Sequence, residues 1–146
     1  MNEESIGRLV AILYRAGLDY TVKQFEPHGI GRGQFIFLAE LFVQDGISQE
    51  KLASSSRYDK ATVTRAMQQL ESHGYVERKR STDDGRVNLV YLTDKAHSFK
   101  PTLFSILSNW TDILTQGLSN EERKLAINLL SRLVENATAY KAGERE

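Results

Sequence analysis

Residues 48–93 read SQEKLASSSRYDKATVTRAMQQLESHGYVERKRSTDDGRVNLVYLT. The part from Asp59 onward decides the fold. Asp59 is suited to an N-cap, because its carboxylate accepts from the free backbone N–H groups of a first helical turn. Val63, Ala66, Met67 and Leu70 follow at i, i+3, i+4 and i+7, which is one apolar face of a helix. Ala61, Arg65, Gln68 and Ser72 fall opposite that face, with Thr62 and Thr64 on its shoulders. The outer face is small, hydroxylic or amide-bearing, with one Arg and no carboxylate. An ordinary solvated face mixes Lys with Glu. This composition suits the major groove, where Arg reaches guanine O6 and N7, Gln reaches adenine N6 and N7, and a Thr methyl meets a thymine methyl. Gly74 ends the helix as a left-handed C′ residue.

The flanking segments give this helix a context. Ser48 to Ser55 reads as a short helix with Leu52 and Ala53 facing inward. Ser56-Arg57-Tyr58 has the length of the turn in a helix-turn-helix. Downstream, residues 75–80 and 87–92 are strand-like around the loop Ser81-Thr82-Asp83-Asp84-Gly85-Arg86, in which Asp-Gly is a hairpin signal. Arg78, Lys79, Arg80 and Arg86 make this hairpin the most basic part of the chain. Phosphates reward such a cluster through counterion release, and a narrow minor groove attracts an Arg at a loop tip. The pattern is that of a winged helix-turn-helix for duplex DNA. Its bland counterparts are a merely solvated helix face and a plain turn at Asp84-Gly85-Arg86. The alternative function is a winged-helix protein-interaction module without DNA binding, but that would call for apolar or acidic residues on the outer face of the helix.

These residues resemble the MarR family of transcriptional regulators. The likeness lies in DKATVTRAMQQLESHGYVERK, and in DGRVNLVYLT, whose Asp84, Arg86, Leu92 and Thr93 fit the family's wing pattern. It extends to helix order and length over nearly the whole chain. The resemblance implies a mainly α fold with a small β-hairpin wing (α+β). Residues 31–93 would form the DNA-binding domain, and residues 1–30 and 94–146 a helical dimerisation region. It further implies that Arg86 enters the minor groove and that Asp84 holds it by a charge-assisted hydrogen bond. The candidate DNA-contacting set is Ser56, Lys60, Ala61, Thr62, Thr64, Arg65, Gln68, Arg78, Lys79, Arg80, Asp84 and Arg86. The function implied is sequence-specific repression of transcription, relieved by a small ligand.

Composition narrows the alternatives. With 146 residues, 40% of them hydrophobic, the chain suits one compact domain or one domain with an extension. Nineteen basic and nineteen acidic residues balance to zero, which excludes an undifferentiated polybasic binder but not one whose basic residues are concentrated locally. The lack of Cys excludes disulfides, Cys-ligated zinc and the thiol-based peroxide sensing of some family members. The start Met1-Asn2-Glu3-Glu4 is acidic where a signal peptide is basic, and no apolar run reaches transmembrane length. A cytoplasmic protein without membrane contact is expected.

Outside the central stretch the periodicity is helical. A helix is expected from about Glu3 to Phe25, with Ile6, Leu9, Val10, Leu13 and Ala16 or Gly17 on one face, broken at Pro27-His28-Gly29. Another is expected from about Gln34 to Val43, ended by Asp45-Gly46; Gly31 and Gly33, unusual for the family there, are expected to loosen its start. Ile47 is expected to pair with the wing. Thr93 caps a long helix, which Pro101 should kink or divide. Ser119 caps a last helix, with Glu122 completing a capping box. Leu103, Ile106, Leu107, Trp110, Ile113 and Leu114 line the first of these helices, and Ala126, Leu129, Leu130, Leu133, Val134 and Ala137 the second. These surplus apolar faces suit a homodimer interface, as the resemblance also implies; the other reading is an intramolecular core. A twofold dimer calls for a pseudo-palindromic operator with half-sites about one helical turn apart.

The resemblance implies an effector, a small anionic aromatic or another lipophilic compound, in a cleft between the dimer helices and the DNA-binding lobe. Arg8, Tyr14, Arg15, His28, Phe35 and Trp110 are the candidate lining residues; for the aromatic ones the plain alternative is core packing. His28, His73 and His97 lie too far apart in sequence for a metal motif. No nucleophile elbow or phosphate loop is present. Neither metal nor cofactor is expected, nor enzymatic activity.

Overall fold

The computed structural model describes residues 5–144. The helices are α1 (Ile6–Phe25), α2 (Phe35–Val43), α3 (Gln49–Ser56), α4 (Lys60–Ser72), α5 (Asp94–Leu114) and α6 (Asn120–Gly143), and the strands are β1 (Ile47–Ser48), β2 (Val76–Arg80) and β3 (Asn88–Leu92). The strands form an antiparallel sheet in the order β1-β3-β2. The expected strand at Ile47 is present, paired with Val90. No helix among the described residues is long and apolar enough to cross a membrane.

Local chemistry explains where the helices begin and end. Ser5, Ser48, Asp59 and Ser119 each accept from the backbone N–H three residues on, at 3.1, 3.0, 2.8 and 3.1 Å. Gly74 adopts φ 80. Its N–H donates to Glu71 O at 3.0 Å and that of Tyr75 to Leu70 O at 2.9 Å, the two bonds of a Schellman cap. Thr93 Oγ1 accepts from Ala96 N at 3.3 Å at the start of α5. Pro101 does not divide α5, which runs unbroken through it. Pro removes one N–H from the helical ladder, and it lies on an exposed side of the helix, where water can serve the orphaned carbonyl. The glycines before α2 tighten the chain there. Gly33 is left-handed at φ 75, Gln34 N donates to Gly31 O at 3.1 Å, and Gly31 N donates to Gln34 Oε1 at 2.9 Å.

The chain forms two compact units, Met1–Trp110 and Thr111–Glu146. In the first, Val63, Ala66, Met67 and Leu70 of α4 are buried with Leu38 and Leu41 of α2, Leu52 of α3 and Val76 and Val90 of the sheet. Phe25, Ala96, Phe99, Leu103 and Ile106 join the same core. Burial of large apolar side chains stabilises each by about 1.5–3 kcal/mol relative to exposure. In the second unit, α6 has no buried residue. Its start is tied to the end of α5 by Arg123, whose guanidinium lies 3.0 Å from Asp112 Oδ1 and donates to Thr115 Oγ1 at 2.7 Å.

Candidate nucleic-acid interface

The buried face of α4 anchors it in the core, and its register then sets what the other side presents. Ala61, Arg65, Gln68 and Ser72 are all exposed, in the row read from the helical wheel. Thr62 is tied to the cap, donating from N and Oγ1 to the two Asp59 oxygens at 2.8 and 2.7 Å. These bonds, the backbone one first, hold the Asp59 carboxyl below its ordinary range. Arg65 Nη2 reaches back to Thr62 Oγ1 at 3.4 Å. Thr64 Oγ1 donates to Lys60 O at 2.9 Å and accepts from Gln49 Nε2 at 3.3 Å, which joins α3 to α4. Lys60 pairs across the turn with Glu50 at 3.2 Å, both side chains well exposed. Ser56 is half-buried at the end of α3, where its Oγ donates to Leu52 O at 2.6 Å.

The wing extends from this platform by a seven-residue loop, residues 81–87, closed by Ser81 N to Val87 O at 2.8 Å and Val87 N to Asp84 O at 3.0 Å. Gly85 has no positive φ, so Asp84-Gly85 is not the tight two-residue turn its sequence suggests. Asp84 Oδ1 accepts from Arg86 N at 3.0 Å and Arg86 Nε at 3.2 Å. The Arg86 side chain is nevertheless 92% exposed. Its backbone is pinned and its guanidinium stem is braced, while the charge faces solvent at the loop tip.

The other wing cations differ in kind. Lys79 lies 5.3 Å from the centre of the Tyr91 ring and 3.8 Å from Glu77, and Arg80 donates to Gly85 O at 3.4 Å. Arg78 points instead to the base of the wing. Its Nη2 lies 3.0 Å and its Nε 3.2 Å from the two Glu71 oxygens, its Nη1 donates to Gln49 Oε1 at 3.4 Å, and its side chain is only 23% exposed. Arg78 hydrogen-bonding depresses the Glu71 carboxyl and raises the Arg78 guanidinium in return. Arg78 thus ties β2 to both α3 and α4. The sequence reading missed Glu71 and Gln49 as its partners; the signal available was an acid seven residues before the arginine, across a helix-ending glycine.

The six candidate effector residues are distributed. Phe35 stacks on Phe25 with ring centres 4.9 Å apart, and His28 lies 4.8 Å from Phe99 in the same aromatic group. Trp110 stacks on Tyr20 at 4.9 Å, above Gly17, where an added Cβ would come within 3.3 Å of the indole nitrogen. Arg8 and Arg15 lie on exposed positions of α1. Tyr14 lines a cleft against α4.

Comparison with known proteins agrees with this arrangement. The MarR family model matches residues 30–87. The Bacillus subtilis HTH-type transcriptional regulator YdgJ is 34% identical over 78% of this chain and 70% of its own length. A MarR transcriptional regulator from Methanosarcina mazei Go1 is 40% identical and superposes with a TM-score of 0.86, covering 92% of this chain and 97% of that one. A MarR family regulator from Listeria monocytogenes, solved with a 26mer DNA, is 25% identical with a TM-score of 0.85, covering 91% of this chain and 89% of the other. Cap, helix face, braced wing and these likenesses together place the chain in the MarR family of DNA-binding transcriptional regulators.

Proposed function

We propose that the protein is a cytoplasmic, homodimeric repressor that reads a pseudo-palindromic operator and is released by a small effector. The observation that carries this reading is the pairing of an exposed, carboxylate-free row on α4 with the solvent-facing Arg86 at the wing tip. In the operator complex, Arg65 and Gln68 contact base edges, while Ala61 and Thr64 meet thymine methyls or phosphates. Ser56, Lys60 and Thr62 position the backbone, Lys79 and Arg80 neutralise phosphates, and Arg86, braced by Asp84, enters the minor groove. Arg78 acts through Glu71, fixing the wing relative to the recognition helix α4.

Dimerisation is supported by the apolar surface that the chain leaves uncovered. Leu9, Val10 and Leu13 on α1, and Leu129, Leu130, Leu133 and Val134 on α6, are all exposed in the single chain. Faces this apolar mark protein contacts. In this reading residues 1–30 and 94–146 supply the dimer and residues 31–93 the DNA-binding domain. Two copies related by a twofold axis then set half-sites about one helical turn apart.

The test is selection of random duplexes on the purified protein at two salt concentrations, beside sedimentation of the free protein. A dimer that enriches a pseudo-palindrome, with binding that falls steeply in salt, is the expected result. A monomer at micromolar concentration sinks the dimer, and an intact dimer that enriches no sequence sinks the operator reading. Repression is checked by transcription from a promoter carrying the selected site, where added protein should lower output.

A further inference from the structure

Aspartate followed by glycine occurs twice in the chain, at Asp45-Gly46 and at Asp84-Gly85. The dipeptide has a chemistry of its own. The glycine amide nitrogen can attack the aspartate side-chain carboxyl, and with no Cβ on the glycine little blocks the approach. The five-membered imide so formed opens with water at either carbonyl. Opening at Cγ restores aspartate. Opening at the main-chain carbonyl leaves isoaspartate, in which the chain runs through Cγ. Water reaches both aspartates, so exposure does not separate the two sites. The fold separates them by what it ties down.

At Asp45-Gly46 both reacting groups are tied to β3. Gly46 N donates to Val90 O at 2.9 Å, and Asp45 Oδ1 accepts from Leu92 N at 2.9 Å as well as from Gly46 N at 3.0 Å. Gly46 is left-handed at φ 69, and the Tyr91 ring packs so closely that an added Cβ would stand 2.8 Å from it. Ring closure there has to break the bonds to Val90 and Leu92 first. At Asp84-Gly85 the restraint is local only. The Gly85 N–H meets no acceptor among the described residues. An added Cβ on Gly85 would meet nothing within 4 Å, so the peptide has room to turn. The Asp84 side chain is 44% exposed. Its bonds, from Arg86 N at 3.0 Å and Arg86 Nε at 3.2 Å, come from the same loop and move with it.

We propose that Asp84-Gly85 isomerises spontaneously to isoaspartate in the folded protein while Asp45-Gly46 does not, and that the change unbraces Arg86. Gly85 N forms a bond to Asp84 Cγ, and the protonated carboxyl loses its hydroxyl, which leaves with the amide proton as water. Opening of the imide takes one water up again, so the mass is unchanged and no other reactant is needed. The product has one extra methylene in the main chain and its carboxylate directly on Cα. An acceptor so placed no longer meets both Arg86 N and Arg86 Nε. The wing tip is thereby the ageing site of the molecule, and a substrate for a carboxyl methyltransferase that recognises isoaspartate. The consequence for DNA rests on the operator reading above; the isomerisation does not.

The test stores the full chain warm at mildly acidic pH, folded and in urea, until the urea sample has converted. Trypsin then releases residues 33–51 and 81–86 as separate peptides. Isoaspartate is read by methyl uptake from an isoaspartyl methyltransferase and placed by fragmentation. In urea the two peptides should convert at comparable rates. In the folded protein residues 81–86 should convert at least about tenfold faster than residues 33–51, a gap of about 1.4 kcal/mol in opening free energy. Gly85→Ala should slow conversion about tenfold. Asp84→Asn keeps an acceptor oxygen for Arg86 and should convert faster than wild type, with ammonia leaving in place of water. A folded wild type without isoaspartate at position 84 overturns the proposal, as does Asp45 keeping pace with Asp84, or Asp84→Asn staying intact. Converted protein should bind the selected operator about threefold or more weakly. The methyltransferase with its methyl donor, which re-forms the imide with methanol as leaving group, should restore part of that loss. Unchanged operator affinity overturns the unbracing. A protein that converts at Asp84 but selects no duplex sustains the site and overturns the operator reading alone.

Discussion

Helices α4 and α6 carry the same kind of message in sequence and meet different fates in the fold. Both open on a side-chain cap, and both repeat apolar residues at helical spacing. In α4, 13 residues long, Val63, Ala66, Met67 and Leu70 are all buried by the chain itself. In α6, 24 residues long, none is buried. An apolar stripe states that a helix will be covered, not by what. For α4 the cover is α2, α3 and the sheet, and burial there fixes the opposite row of Arg65 and Gln68 in register. For α6 the proposed cover is a second copy of the chain, whose burial would place two such rows at a fixed separation.

The largest effect should come from breaking the α6 side of this comparison. Leu129→Glu with Leu133→Glu should convert a dimer into a folded monomer, seen by sedimentation. Operator affinity should then drop by about 100-fold or more, because the second half-site is no longer held at high effective concentration. If the double variant stays dimeric and binds as wild type, the uncovered face has another purpose. On the α4 side, Leu70→Ala should cost about 2–5 kcal/mol of stability, as for a fully buried leucine left as a cavity. Urea unfolding measures it, and the oligomeric state of the folded fraction should not change.

Substitutions on the outward row of α4 should leave the fold alone. Arg65→Ala should cost about 1–3 kcal/mol at a cognate base pair and relax specificity there, whereas Arg86→Ala should weaken many sequences together and reduce the salt slope by about one. Competition titrations on matched and mismatched duplexes separate the two. Operator binding by Arg86→Ala as tight as wild type would falsify the wing assignment.

The smallest effect concerns the latch between α4 and the wing. The Glu71 carboxyl is depressed in the folded protein, chiefly by the Arg78 hydrogen bond. Its stabilisation is therefore whole above the unfolded carboxylate range, near pH 4, and is lost as pH falls through the lower folded value. The pair is partly exposed, so solvent screens it to about 1 kcal/mol or less. Glu71→Gln should lower the urea midpoint slightly at pH 7, and the gap from wild type should close in acid. A gap that persists unchanged below the folded value would show that the residue acts by packing alone.

Much of the molecule is legible in the order of its residues. The caps at Asp59, Ser119 and Thr93, the Gly74 stop, the buried and exposed faces of α4, and the Asp84–Arg86 brace depend on groups a few positions apart, and short-range geometry determines them. The same holds for the β2–β3 hairpin, whose strands are adjacent in sequence. What tertiary structure alone decided involves groups distant in sequence or turns whose aim is set by packing. Arg78 reads as one more wing cation, but the register of β2 against α4 turns it inward to Glu71. Gly31 and Gly33 read as loosening, but Gln34 folds back over them and reaches Gln69. Phe35 and Trp110 read either as core or as ligand lining, and only the packed chain shows Phe25 and Tyr20 stacked on them. Periodicity states which side of an element seeks cover; only the packed chain states which side chain provides it.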